Sequence, residues 1–152
     1  MSLTVTADTL PLGAPFAMGA AIVAELRAAP ELAGVRVLDN PQRASDLSEG
    51  ARIVFFEDGG DTPIDQPGQS AKRSYSFTLG CINRTPQARA GAHADYRAAK
   101  RVVRAAMPAI NRVVRLEGRG LVEGAVSYRL ENLDVGGGLV FGTYTVDYRD
   151  PG

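Results

Sequence analysis

The sequence holds one cysteine, one histidine and no tryptophan, and its charges cancel, with 17 basic residues against 17 acidic ones. Each scarcity excludes something. A lone cysteine, Cys81, permits no disulfide within the chain, so a reducing compartment is the expectation. With a lone histidine, any Ser-His-Asp or Cys-His mechanism would have to run through His93. Zero net charge argues against a dedicated nucleic-acid binder, which carries a basic excess. It also leaves little repulsion to oppose self-association. No apolar run approaches the ~20 residues of a membrane-spanning helix. The stretch Met1–Asp8 lacks the basic and apolar regions of a secretion signal. Lysine is scarce as well: Lys72 and Lys100 stand among arginines. Arginine suits protein contacts, because its planar fork holds a carboxylate with two hydrogen bonds.

What is present predicts one domain over residues 1–152, with 45% hydrophobic residues and enough length to bury a core without metal or disulfide. Residues 1–14 read as an extended arm. Pro15 suits a first helical turn, and the alanine-rich run to Ala29 carries Met18, Ile22, Val23 and Leu26 at helical spacing. A short strand follows at Val35–Leu38, and another over 51–57. Tyr75, Phe77, Leu79 and Cys81 alternate with Ser74, Ser76 and Thr78, the pattern of a half-buried strand. A long helix is predicted from Pro86 to Ile110, with Pro108 expected to kink or stop it. Its inner stripe is Tyr96, Ala99, Val103, Ala106 and Ile110. Residues 112–117 fit a short strand. Strands over 121–132 and 138–149 flank a glycine-rich turn, with Val126, Tyr128 and Leu130 alternating on the first. The fold expected is α+β: a mixed, mainly antiparallel sheet, two helices on one face, and the other face open to partners.

The most unusual segment is Glu57–Ser70, with four carboxylates, three glycines, two prolines and no basic residue. It predicts a long loop over 57–72 between two neighbouring strands, and such loops are most often functional or disordered. Asp58, Asp61 and Asp65 lack the alternate-position spacing of an EF-hand. The expectation is no metal and no cofactor. Gly118–Gly124 matches neither the dinucleotide fingerprint nor a P-loop. His93, near the start of the long helix, suits a surface or capping role, and Cys81, on an inward strand face, suits packing. No catalytic residue is assigned. On the outer face of the helix lie Arg97, Lys100, Arg101 and Arg104, with Asp95 the one acid nearby. Such a stripe is either a solvated face or a partner surface. The acidic segment and the basic stripe are therefore candidate assembly contacts: Asp58, Asp61, Asp65, Arg97, Lys100, Arg101 and Arg104.

The layout carries a further likeness. A helix closes in Leu26-Arg-Ala-Ala-Pro-Glu-Leu-Ala-Gly-Val-Arg-Val37. A strand ending in acids opens the long segment. Tyr75-Ser-Phe-Thr-Leu79 leads to a helix containing Ala98-Ala-Lys-Arg-Val-Val103, and the closing strands end in Gly142-Thr-Tyr-Thr-Val-Asp-Tyr148. Over roughly residues 14–150 this resembles the tail-terminator (tail-completion) proteins of long-tailed bacteriophages, including the lambda-type minor tail protein. The resemblance implies a structural virion protein without catalytic activity. It would form a ring, typically a hexamer, that ends tail-tube polymerisation and joins the head. The implied partners are further copies of itself, the tail-tube protein and a head-completion protein, with no membrane and no sequence-specific nucleic acid. The implied location is the virion tail, and the host cytoplasm during assembly. Other readings are a neck or connector protein, a small enzyme using His93 on the open sheet face, and a cytoplasmic domain binding a ligand between helices and sheet.

Overall fold

A computed structural model describes residues 12–42, 50–64, 72–132 and 136–150. In chain order the elements are α1 (Ala14–Ala28), β1 (Arg36–Asp39), β2 (Arg52–Pro63), β3 (Lys72–Asn83), α2 (Ala88–Asn111), β4 (Leu116–Asn132) and β5 (Gly136–Arg149). A single 3-10 turn, Pro30–Leu32, separates α1 from β1. The five strands form one sheet in the order β1-β2-β3-β5-β4. Only β1 and β2 run parallel, so the sheet is mixed and mainly antiparallel, as expected.

Both helices cover one face. Alanine and unbranched residues favour α1, and its Met18, Ile22, Val23 and Leu26 are buried. Its contacts are with β1, β2 and α2, whereas α2 lies mainly over β3 and β5. From the sheet, Val54, Phe56, Tyr75, Phe77, Leu79, Cys81, Val140 and Tyr144 enter the same core. Phe56, Phe77 and Tyr144 stack in a row across three strands, with ring centroids 5.1 and 5.3 Å apart. Each such aromatic pair adds about 0.5–1.5 kcal/mol beyond the area it buries.

Several expectations need correction. Glu57–Pro63 is not structureless: it continues β2 and pairs with β3 as far as Arg73. Two glycines make this possible by forming a bulge, so that three steps from Asp58 to Asp61 stand against two from Phe77 to Tyr75. The amide of Gly60 donates to Ser76 Oγ at 2.7 Å, which holds the bulge closed. Asp65 and most of the 1–14 arm lie outside the described residues. The short strand over 112–117 and the longer one from 121 are a single strand, β4, interrupted by Gly118 and Gly120 at φ 56° and 63°. Those left-handed values suit glycine. Helix α2 ends at Asn111, within one turn of Pro108.

The reverse face of the sheet is only partly open. Ile53, Phe55 and Ile82 are buried there, packed with Leu38, Leu139 and Phe141. The guanidinium of Arg129 lies 4.8 Å from the Phe141 ring centroid.

The start of α2 comes so close to β5 that no side chain fits between them. A Cβ added to Gly138 would lie 2.5 Å from the Ala88 carbonyl oxygen and 3.0 Å from the Ala92 Cβ. Gly138→Ala should therefore cost about 1–3 kcal/mol by overpacking. Thermal melts would show this as a lower Tm, and an unchanged Tm would mean that the helix end yields freely.

Candidate functional site

The acids of the 57–70 segment are held by their own chain. The bulge turns Asp58 and Asp61 to the helix side of the sheet, in register with Phe77 and Tyr75. There the Tyr75 hydroxyl donates to Asp58. Tyr148 donates to Asp61 at 2.9 Å, and Arg73 Nε donates to the other Asp61 oxygen at 2.7 Å. Burial, reinforced by the hydrogen bond to Asp58, pushes the Tyr75 phenol far above its ordinary range. Burial and the bond to Asp61 do the same to Tyr148. Asp61 is thus compensated by Arg73. Asp58 has no cation partner among the described residues. Beside these acids Leu12 and Phe16 are 66% and 49% exposed, although both are large and apolar.

The basic stripe divides. Lys100 is not free: its Nζ donates to Glu123 on β4 at 2.8 Å. The hydroxyls of Tyr96 and Tyr144 both donate to the second Glu123 oxygen at 2.8 Å and lie 2.6 Å from each other. Burial pulls the Glu123 carboxyl upward, but hydrogen bonds from Lys100, Tyr144 and Tyr96 outweigh it and hold it below its ordinary value. Arg97, Arg101 and Arg104 are exposed and have no carboxylate partner among the described residues. They rise above a groove of about 400 Å³ between α2 and β4. Like charges at this helical spacing repel by a few tenths of a kcal/mol per pair, so an anionic partner would relieve them.

His93 and Tyr128 form one end of this groove, stacked with centroids 4.6 Å apart and planes 3° from parallel. Tyr128 is 58% exposed. The cause is the neighbouring surface, where Ala88, Ala92, Gly137 and Gly138 are too small to cover it. They leave a mostly apolar cavity of about 250 Å³ behind the His93–Tyr128 pair. Among the described residues His93 makes no hydrogen bond to a carboxylate, so no relay is assembled. Burial pushes the Cys81 thiol well above its ordinary range, which leaves little thiolate. Among the described residues no three His, Cys, Asp or Glu side chains cluster to hold a metal.

Sequence reasoning missed a buried polar network. Asp95, only 4% exposed, accepts from Arg52 Nε at 3.2 Å and Nη2 at 2.7 Å, and from Asn83 Nδ2 at 3.2 Å. An acid among arginines reads as part of a solvated face. The available signal was its phase, since Asp95 falls beside Ala92, Tyr96 and Ala99 on the buried side of α2.

No protein-family model and no curated protein sequence matches the chain. Among solved structures, one similar chain belongs to the virion of a native gene transfer agent particle. It is 17% identical, with 93% of this chain and 96% of that chain covered and a TM-score of 0.47. At that identity and superposition the likeness has no bearing on what this chain does.

Proposed function

We propose that this chain is a structural protein of a bacteriophage-type tail, assembling head to tail into a hexameric ring on the end of the tail tube. The ring would end tube growth and offer the head-joining surface. The observation that carries this reading is the distribution of charge. Arg97, Arg101 and Arg104 stand without carboxylate partners among the described residues on the α2 flank. The acids Asp58 and Asp61 of β2 lie across the sheet, on the α1 flank. Two different and complementary patches are what a heterologous interface needs, and such an interface closes into a ring when its rotation allows. A stable contact of this kind buries about 800 Å² per partner. The resemblance in the order of elements and in the quoted stretches points the same way.

Negative-stain microscopy of the purified protein, alone and with tail tubes, tests the reading. Six-fold rings or capped tubes are expected. A strict monomer that ignores tube ends would overturn it. Reversing Arg97, Arg101 and Arg104 to glutamate should leave the fold intact, because none of the three is buried. The same change should weaken ring formation or tube binding at least tenfold, read by sedimentation and by counts of capped tubes. Unchanged assembly would remove the stripe from the contact.

A further inference from the structure

The two flanks of the molecule differ in shape as well as charge. On the α1 flank, Leu12 and Phe16 protrude, 66% and 49% exposed, next to Asp58. On the α2 flank, the cavity behind His93 and Tyr128 is walled by Ala88, Ala92, Gly137 and Gly138, with Arg89 at its rim. The first flank is an apolar knob beside an uncompensated acid. The second is an apolar hole beside Arg89, which has no carboxylate partner among the described residues.

We infer that Phe16, supported by Leu12, seats in this cavity of a second copy, with Asp58 turned toward that copy's Arg89. The inference rests on the ring reading above and names the contact that would build the ring. Size permits it: an apolar cavity of about 150 Å³ already admits benzene, and this one measures about 250 Å³. Burying a phenylalanine side chain contributes about 1.5–3 kcal/mol. Position permits it too. The knob belongs to α1 and the hole to α2, β4 and β5, and α1 and α2 cover opposite halves of the sheet. One copy can therefore use both patches at once. An isologous dimer would instead use the same patch twice. The occupant is a second copy rather than an unrelated chain because both halves of the match, apolar and charged, are present on this one.

The test mixes two variants. Phe16→Ser spoils the knob. Arg89→Glu spoils the hole. Phe16 and Arg89 are both exposed, and circular dichroism checks that both variants fold. Sedimentation velocity follows each alone and the two together. Each variant alone is expected to lose self-association at least tenfold. The equimolar mixture is expected to stop at a dimer, because only one good knob and one good hole remain. Variants that assemble like the parent protein would overturn the inference and leave the ring reading standing. A mixture that stays monomeric would also overturn it, since the spoiled patches would then not be complementary. A parent protein that forms no assembly, alone or on tubes, would sink the ring reading, and the inference with it. As an independent check, Phe16→Cys combined with Ala88→Cys should give a disulfide ladder that either single variant lacks. The native Cys81 is buried and would not contribute. Rings without such a ladder would count against this contact alone.

Discussion

Arg52→Met is expected to destabilise the protein by about 3–5 kcal/mol, the range for stripping one partner from a buried ion pair. The reason is which group is left behind. The Asp95 side chain is 6% exposed and the Arg52 side chain 35%. Without Arg52, the carboxylate keeps the Asn83 amide as its hydrogen-bond donor among the described residues and loses its counter-charge. Asp95→Asn is the informative comparison. It leaves Arg52 able to turn toward solvent, so its cost should fall to about 1–3 kcal/mol, typical of a lost buried hydrogen bond. The damage should spread beyond one contact. Asn83 Oδ1 accepts from the Thr85 amide at 3.0 Å and from the Thr85 hydroxyl at 2.6 Å. That hydroxyl in turn accepts from the Gln87 amide at 3.2 Å, where α2 begins. The network thus ties β2 to the β3–α2 junction. Urea denaturation of both variants measures the asymmetry. Equal costs, or an Arg52→Met protein as stable as its parent, would show that the pair is not buried in the way described.

Glu123→Gln carries the second large effect. One carboxylate there receives Lys100 on one oxygen and Tyr96 and Tyr144 on the other. The amide keeps the shape but removes the charge, and its NH₂ group must face either the Lys100 ammonium or the two hydroxyls. Charge-assisted bonds become neutral ones, at a cost of about 1–2 kcal/mol at neutral pH. The pH dependence is more specific. The folded carboxyl titrates below its ordinary value of 4.5. Its stabilisation is therefore fully present above pH 4.5 and is lost as pH falls through the folded value. The Gln variant has no such group. The gap between parent and variant should narrow as acid is added below pH 4.5. Denaturation at several pH values would check this, and a gap independent of pH would refute the charge argument.

How far the sequence reached depended on the range of the interaction. The alternation of Tyr75, Phe77, Leu79 and Cys81 and the alanine-rich helices are local patterns, and they predicted the elements and the helix-covered face. Glu57–Pro63 misled because Asp, Gly and Pro are poor strand formers. What makes it a strand is distant: Tyr148 reaches Asp61 across 87 positions of sequence. Lys100 looked unpartnered because Glu123 lies on another strand. Asp95 looked solvated because Arg52 lies 43 positions away. The cavity behind His93 and Tyr128 had no local sign at all. It exists because small residues from α2 and β5 meet there. The acidic and basic candidates were legible as clusters of charge. That Asp61 and Lys100 already have partners, while Asp58, Arg97, Arg101 and Arg104 have no oppositely charged partner among the described residues, could be learned only from the fold.

The sheet ends at β4, 17 residues long, with no further strand beyond it among the described residues. A border of that length invites copies to zip side by side into an open ribbon. The ladder on its inner side is broken twice. Five positions from Leu116 to Leu121 stand against two on β5, and three from Glu123 to Val126 stand against two. Each break throws the outward donors and acceptors out of line. A second chain approaching that rim meets only short stretches in step, such as Leu121–Glu123 and Val126–Leu130. The two breaks thus guard a long border strand against pairing into a fibre.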